Sequence, residues 1–472
     1  MPTDDDAKLQ SSRDAQGAFR NKANWRYSRF KTPPAALADG LAARDVAVSA
    51  LFSVFVEKRA FDDVFTKAAA TRNLEPRDRA FARLIAASVL RHHGELKAVI
   101  GRFLTKPLPE HQGRLEHIML SAAAQLLILK TPPHAAISLA VDQCRADTSA
   151  RRFDKLTNAV LRRVSEQGHG ILPTLDSVAL NIPAWLLARW QKTYGAETAR
   201  AIAEASLLEA PLDLTVKSDP EGWAAKLGGT LLPSGSVRLS GAGRIEELEG
   251  YNDGAWWVQD AAAAIPVRLL GNVRGLAVAD MCAAPGGKTA QLALAGARVI
   301  SIDKSPGRLN RLKTNLERLG LDAETRVADA AEFLSEPVFD AVLIDAPCTA
   351  TGTIRRHPDI LHLKRDDDIA ALAAVQARIL DRAAVTVKPG GVLVYCTCSL
   401  EPEEGPDQIA KFLATHSEFS RVPVPADEIQ ANPAWMTADG DLRTLPSQLA
   451  EMPDGLSGMD GFFASKLLRK TQ

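Results

Sequence analysis

Three apolar segments in the second half of the chain each end in residues with reactive or charged side chains. The segments and the residues that follow them are 278–281 with Cys282, 339–344 with Asp345 and Cys348, and 391–395 with Cys396 and Cys398. Short apolar runs without alternation are typical of buried parallel strands. Neighbouring strands lie about 4.8 Å apart, and ligands bind at their carboxyl ends. The sequence therefore predicts one site built from all three ends.

Strand and helix patterns alternate from Gly254 onward, which is typical of βαβ units and a parallel sheet. The strand candidates are 276–281, 297–302, 325–328, 339–344 and 391–395, and residues 305–319 fit a helix. Residues 460–468 predict a closing strand at the edge of the sheet. We expect an α/β domain over residues 251–472.

The first half of the chain has a different pattern. Apolar residues recur at helical spacing over residues 39–167 and predict an all-α domain, and residues 171–250 predict a small α+β subdomain. Basic residues concentrate at 77–91 and 151–163, which fits either a solvated helix face or contact with RNA. Residues 1–38 are basic and aromatic and predict a disordered tail, either solvated or binding nucleic acid.

Composition narrows the class of protein. The 472 residues carry no net charge, so any nucleic-acid binding has to come from local patches. Five cysteines in a long chain suit free thiols in a reducing compartment. No run approaches the roughly 18 apolar residues of a membrane span, and the amino terminus lacks the features of a targeting peptide. We expect a cytoplasmic enzyme without a membrane partner.

The turn from Cys282 to Thr289 predicts a cofactor site. A phosphate-binding loop would need glycine at position 282, and the dinucleotide pattern G-x-G-x-x-G is absent. Asp303, about twenty residues on, is placed to bind a ribose, and Asp329 is placed to meet an adenine. A nucleoside cofactor without phosphates, S-adenosylmethionine, fits this pattern. The alternative is that Asp303 caps the helix that begins near Ser305.

The thiols predict covalent catalysis. A cysteine thiolate that adds to C6 of a pyrimidine makes C5 nucleophilic, and the reaction also needs an acid near N3 and a base near C5. Cys398, Asp345 and Cys348 can take these three places. The alternatives are cysteines that only pack in the core and a zinc site. The cysteines lack the C-x₂₋₄-C pair that is typical of structural zinc sites, so we expect no metal.

Together these motifs resemble the Sun (Fmu) family of ribosomal RNA cytosine-5 methyltransferases. The resemblance rests on residues 280–289, 345–348, 352–359, 395–400 and 460–464, and residues 155–164 are similar to the NusB-like RNA-binding domain. It implies a Rossmann-like class I methyltransferase domain with a mostly parallel sheet, preceded by an all-α NusB-like domain and the small subdomain. It also implies a monomer that methylates small-subunit (16S) ribosomal RNA, with no DNA partner.

The resemblance also implies a role for each matching residue. Cys398 would be the nucleophile, Cys348 would assist proton removal and product release, and Asp345 and Lys288 would hold the cytosine. The residues that would bind S-adenosylmethionine are Cys282, Ala283, Ala284, Pro285, Gly286, Gly287, Lys288, Asp303, Asp329 and Asp345. The chain departs from the family at Thr349-Ala350, usually Ser-Gly, at Gly405-Pro406, usually Asn-Glu, and at Thr215, usually arginine.

Two other functions remain open on the sequence. A DNA cytosine-5 methyltransferase would use Cys348 as the nucleophile, but the segment 397–399 and the helical domain argue against it. An RNA-binding assembly or antitermination factor with an inactive transferase domain would not need both thiols, Asp345 and the glycine turn.

Overall fold

The protein, a computed structural model, is described over residues 40–109, 112–241, 243–333, 338–453 and 455–471. The predicted tail, residues 1–38, lies outside the described residues. None of the described helices is long and apolar enough to cross a membrane.

Seven helices form the first part of the described chain. They are α1 (Leu41–Phe55), α2 (Phe61–Thr71), α3 (Pro76–Arg91), α4 (His93–Gly101), α5 (Leu115–Leu127), α6 (Pro133–Ala146) and α7 (Asp154–Ile171). Proline begins α3 and α6, where its missing N–H costs no hydrogen bond. All seven helices contribute apolar side chains to one core, so the predicted all-α fold is confirmed.

A small α+β unit follows. Its elements are α8 (Ser177–Asn181), α9 (Ala184–Tyr194), α10 (Ala196–Ser206), β1 (Leu212–Val216), α11 (Pro220–Leu227), β2 (Thr230–Leu231), β3 (Val237–Leu239) and β4 (Trp256–Val258). The four strands form an antiparallel sheet in the order β2-β3-β1-β4. Arg238 forms two 2.7 Å bonds to Asp213 inside this sheet, and neither side chain is exposed. The strand β4 lies past residue 250, where the sequence predicts the subdomain to end.

The main sheet has eight strands with helices between them. Its elements are β5 (Ala277–Met281), α12 (Gly287–Leu294), β6 (Arg298–Asp303), α13 (Pro306–Leu319), β7 (Glu324–Val327), β8 (Phe339–Asp345), α14 (Ile360–Leu363), α15 (Asp366–Thr386), β9 (Val387–Thr397), α16 (Pro406–Thr415), β10 (Phe419–Arg421), β11 (Leu442–Thr444) and β12 (Phe462–Arg469). The order is β10-β12-β9-β8-β5-β6-β7, and β11 also pairs with β12. The strands β5 to β9 run parallel, so the predicted, mostly parallel sheet is confirmed.

The last strand is not at the edge of the sheet, so that prediction was wrong. β12 lies between β9 and β10 and runs antiparallel to both. Two three-residue strands, β10 and β11, supply its outer partners. Strands this short leave too little alternation in the sequence to be recognised.

The order of strands in the sheet reverses at β5: β6 and β7 extend to one side of it, and β8 and β9 extend to the other, so β5 and β8 are neighbours. Such a switch point opens a crevice at the carboxyl ends of the strands. Side chains of these strands alternate between two buried cores. Leu343 and Val394 face one core, and Ile344 and Tyr395 face the other.

The helical part contacts the segment 355–363, which follows Cys348. Asp359 Oδ2 accepts a 2.9 Å hydrogen bond from the N–H of Phe61, the first residue of α2, and the residue before Phe61 supplies no side-chain cap of its own. Arg91 donates at 2.9 Å to the carbonyl of Arg355. A carboxylate from the α/β part therefore caps a helix of the α-helical part.

Aromatic rings fill the same interface. The ring centroid of Phe55 lies 4.5 Å from that of His93, 4.7 Å from that of His362 and 5.7 Å from that of His117. His362 Nε2 lies 2.7 Å from the carbonyl oxygen of Leu90. Burial lowers the pKa of all three histidines to about 4. The interface therefore holds neutral imidazoles at neutral pH.

This interface predicts a loss of stability in mild acid. The folded-state pKa of His93 lies below its unfolded value of about 6.5, so the unfolded chain binds more protons between pH 6.5 and 4. The contribution of neutral, buried His93 to the free energy of unfolding is fully present above pH 6.5. It is lost as the pH falls from 6.5 to 4, by up to about 1.4 kcal/mol per pH unit. His93→Phe should flatten the pH dependence of the urea midpoint over this range.

His134→Phe is the matched control, because His134 is exposed on α6. His357 acts in the opposite sense, since its hydrogen bond to Asp62 raises its pKa, but it is present in both variants. Equal slopes for the two variants would contradict the role of His93.

Candidate active site

The parallel pairing of β8 and β9 brings the two thiol-bearing segments together. Asp345 is the register partner of Cys396, and both lie at the carboxyl ends of their strands. Because side chains alternate along a strand, Cys396 and Cys398 share one face with Asp345. Asp280 lies on the same face of β5, as the register partner of Leu343. The predicted meeting of the three strand ends is present.

The sulfur atoms of Cys348 and Cys398 are 3.5 Å apart. Both residues are partly exposed, whereas Cys396 is buried. The contact with Cys348 and burial raise the pKa of Cys398 well above its ordinary value. The free site therefore holds Cys398 as a thiol, and its proton has to leave before it can attack.

Asp345 holds a cation beside the thiols. Lys288 Nζ donates to Asp345 Oδ2 at 2.8 Å, and Lys288 is itself buried. Burial is the largest single influence and lowers the pKa of Lys288, but Asp345, Cys396 and Asp280 together outweigh it, and the net shift of the pKa is upward. Cys396 lies 3.7 Å from Asp345 Oδ1, and burial raises its pKa, so it acts as a thiol donor. The pair is an ammonium and a carboxylate side by side.

The loop after β5 leads directly into α12. Gly286 has φ +106°, and a Cβ there would lie 2.7 Å from the side chain of Leu312, so only glycine fits. The N–H of Ala283 donates at 3.0 Å to Ile302, which fixes the loop against β6. Burial raises the pKa of Cys282 to about 12, so this thiol stays neutral.

Asp303 ends β6 and is almost fully buried. Its carboxylate accepts from the N–H of Ala284 at 3.3 Å and from that of Ser305 at 2.9 Å. The capping alternative is wrong, because the N-cap of α13 is Ser305, whose side chain accepts from the N–H of Arg308, and Asp303 only accepts from the N–H of Ser305. The same carboxylate also joins the end of β6 to the loop after β5.

Asp329 is exposed and lies two residues beyond the end of β7. Its carboxylate accepts a 2.9 Å bond from the N–H of Ala331. Ala328 donates to the backbone oxygen of Asp303 at 3.2 Å, which places this loop beside β6. Asp329 is thus on the same edge of the sheet as Asp303.

Sequence reasoning did not single out Asp280. It is fully buried in β5, where Thr289 donates to it at 2.6 Å, and its Oδ1 has no hydrogen-bond partner among the described residues. Burial raises its pKa to about 7. An acid inside an apolar run was the signal, because such a residue is costly to bury without a purpose. The unpartnered Oδ1 of Asp280 could accept a hydrogen bond from a donor group on a ligand.

Glu404 was also missed as a site residue. Its side chain is fully buried, and its carboxylate binds the residues that directly follow Cys348 and Cys398. The acidic pair at 403–404 was visible in the sequence, but nothing there tells which of the two is buried.

Comparison with known proteins agrees with this architecture. A profile of the family "16S rRNA methyltransferase RsmB/F" matches residues 268–468, and one of the NusB family matches residues 41–166. Ribosomal RNA small subunit methyltransferase B of Cronobacter sakazakii is 35% identical over 412 residues, covering 84% of this chain and 91% of that protein. The enzyme of the same name from Citrobacter koseri is 34% identical over 418 residues, covering 84% and 92%.

Two solved structures share the fold. The crystal structure of PH0851 has a TM-score of 0.71 at 23% identity, covering 92% of this chain and all of that one. NSun6 from Pyrococcus horikoshii with SFG has a TM-score of 0.51 at 20% identity, covering 61% and 99%. Because both sequence identities are below 25%, these structures indicate the fold alone. The sequence identity over most of both chains settles the family: the chain belongs to the RsmB/F family of 16S rRNA methyltransferases and is an S-adenosylmethionine-dependent methyltransferase.

Proposed function

We propose that the protein transfers a methyl group from S-adenosylmethionine to C5 of a cytidine in 16S ribosomal RNA, through a covalent bond between Cys398 and C6. The observation that carries this is the pair of sulfur atoms 3.5 Å apart, beside an ion pair, at the carboxyl ends of β8 and β9. A reaction that needs one thiol to attack and a second group to move protons matches this arrangement.

The first step forms a bond between the Cys398 sulfur and C6. The electron pair of the C5–C6 double bond then becomes available at C5, and negative charge develops on the polar edge of the ring. Lys288 and Asp345 supply a donor and an acceptor for that edge. They are held in place before substrate arrives, so little reorganisation is needed during the reaction.

The second half of the reaction restores the ring. Once C5 carries the methyl group, a base removes the C5 proton, the double bond re-forms, and the C6–sulfur bond breaks with its electrons returning to Cys398. We assign proton removal to Cys348, whose sulfur lies within reach of Cys398. The Cys398 proton is lost to solvent before attack, so Cys348 is left to accept only the C5 proton.

The residues around the loop 282–288 fit S-adenosylmethionine, which supplies an electrophilic methyl group. We assign the ribose to Asp303, because an acid that follows the glycine turn by about twenty residues binds the ribose in doubly wound nucleotide sites. The unpartnered oxygen of Asp280 suits the amino group of the cofactor. Acidic groups also suit its sulfonium charge. We assign binding to this loop with Asp303, Asp329 and Asp345.

We propose small-subunit ribosomal RNA as substrate because the two curated relatives carry that activity in their names. The exposed basic residues of the helical part, within 77–83 and 151–163, offer local charge for RNA phosphates in a chain without net charge, whereas Arg91 is buried. We take a monomer in the cytoplasm as the acting form. A DNA-type enzyme would exchange the roles of Cys348 and Cys398.

Two single substitutions separate these roles. Cys398→Ala should abolish turnover and covalent RNA adducts, because no thiolate remains to attack C6. Cys348→Ala should still attack and methylate but stall before elimination, and a methylated RNA–protein adduct should accumulate. Denaturing electrophoresis with labelled RNA measures both.

Cys144→Ala is the control, since that thiol is buried in the helical core. The DNA-type assignment predicts the reverse, with adducts lost in Cys348→Ala and accumulating in Cys398→Ala. If both variants methylate without adducts, covalent catalysis is wrong.

Asp303→Asn should weaken cofactor binding more than RNA binding. A hydrogen bond to a charged group contributes about 1.5–3 kcal/mol, which is roughly a tenfold to hundredfold change in affinity for S-adenosylhomocysteine. Isothermal titration calorimetry measures it, with the exposed Asp322→Asn as the matched control. Unaltered affinity in Asp303→Asn would rule out the ribose role.

The pH dependence follows from the raised pKa of Cys398. Below that pKa the thiolate fraction rises tenfold for each pH unit, so kcat/KM should increase from pH 6.5 to 8.5 with a slope near one on a logarithmic plot. Initial rates at low RNA concentration measure this. A flat profile would mean that free Cys398 is already a thiolate.

A further inference from the structure

We propose that Glu404 is a positioning residue that sets the separation between Cys348 and Cys398. The thiol-bearing loops reach the site from different strands, β8 and β9, and the sheet fixes only where those strands end. A further contact has to fix the loops that follow. Glu404 lies in a single 3₁₀ turn, Pro402–Glu404, shortly after Cys398, and its side chain turns back into the protein.

The carboxylate of Glu404 binds both loops at once. Oε1 accepts from the N–H of Thr349 at 2.9 Å, and Oε2 accepts from the hydroxyl of Ser399 at 2.6 Å and from that of Thr349. Thr349 follows Cys348, and Ser399 follows Cys398. One side chain therefore holds the residue next to each sulfur.

The third partner ties the carboxylate to the other side of Cys348. Gln376, on α15, donates through Nε2 to Glu404 Oε1 at 3.0 Å and to the carbonyl of Pro347 at 2.9 Å. Cys348 thus lies between two residues, Pro347 and Thr349, that are joined through Gln376 and Glu404. Its backbone is held on both sides.

The turn that carries Glu404 is itself fixed to β9. The backbone oxygen of Glu404 accepts hydrogen bonds from the Tyr395 hydroxyl at 2.9 Å and from the Thr397 hydroxyl at 3.2 Å. Tyr395 and Thr397 point to the face opposite Cys396 and Cys398. The carboxylate is therefore placed relative to the same strand that presents the nucleophile, so its distance to Cys398 is set by the strand.

Hydrogen bonds to an ionised acceptor are the stronger kind, and a buried acceptor that is lost leaves its donors unpaired. Glu404→Gln keeps the shape but turns one oxygen into an N–H group, which cannot accept from the hydroxyls of Ser399 and Thr349. The loops should then separate by a fraction of an ångström or more. Misplacement of about 1 Å can cost about a hundredfold in rate.

The effect on catalysis rests on the proposed roles of the two cysteines, whereas the effect on thiol geometry does not. Phenylarsine oxide reports that geometry, because it bridges two close thiols with loss of one water and needs both sulfurs at once. Iodoacetamide reports the accessibility of each thiol separately. The negative control for bridging by phenylarsine oxide is Cys348→Ala, which lacks one of the two sulfurs.

Glu403→Gln is the matched control. Glu403 is the preceding residue, partly exposed and paired with Arg189, and among the described residues its side chain forms no hydrogen bond to either cysteine loop. Thr349→Val is the second variant, which removes one hydroxyl from the cluster and keeps the N–H. Cofactor affinity and the thermal midpoint of each variant establish that it is folded at the assay temperature.

Glu404→Gln should lower kcat by about tenfold to a hundredfold with little change in KM for RNA or cofactor. It should also slow phenylarsine bridging relative to wild type, while single alkylation of each thiol does not slow. Thr349→Val should show both effects to a smaller degree, and Glu403→Gln neither. This combination would support the proposal, because a purely structural role would lower the thermal midpoint alone.

Unchanged bridging in folded Glu404→Gln and Thr349→Val would overturn the proposal, whatever the activity of Cys398→Ala. Slower bridging with normal kcat would also overturn it, since the separation would then be irrelevant to turnover. If Glu404→Gln does not fold, the bridging and kcat of Thr349→Val decide by the same criteria. Failure of the cysteine roles appears separately, as methylation by Cys398→Ala.

Discussion

The parallel register between β8 and β9 is the constraint on which the site depends. It sets Asp345 opposite Cys396 and places Cys398 beyond the end of the same strand. A shift of one residue would turn these side chains to the other face of the sheet, where Tyr395 now packs. The buried apolar residues on both faces oppose such a shift. The chemistry of the site is thus supported by ordinary packing several residues away.

Beyond the strand ends, hydrogen bonds between the loops hold the chain in place. Gly352 donates to the carbonyl of Cys398 at 2.9 Å, and a Cβ on Gly352 would lie 2.8 Å from that oxygen. The chain then continues into the segment that caps α2 through Asp359. The helical part is therefore packed against the same loop that carries Cys348.

Much of this could be read from the sequence because it depends on local patterns. Apolar runs that end in Cys282, Asp345 and Cys398 predicted the strands and their meeting, and the order of strand and helix predicted the sheet. Contacts between segments far apart in sequence left no such pattern. Three features depend on tertiary packing: the hydrogen bonds of Asp303, the position of β12 between β9 and β10, and the hydrogen bonds of Glu404 to both cysteine loops. A buried acid such as Asp280 or Glu404 cannot be told from an exposed one by residue type.

Trapping with RNA that contains 5-fluorocytidine tests whether Cys398 forms the bond to RNA. Fluorine at C5 cannot leave as a proton does, so the adduct with the wild-type enzyme and S-adenosylmethionine should persist after methyl transfer. Protease and nuclease digestion followed by mass spectrometry identifies the attached cysteine. If Cys398 attacks C6, a methylated nucleotide should be attached to the peptide that contains Cys398. Attachment at Cys348, or turnover without any adduct, would contradict it.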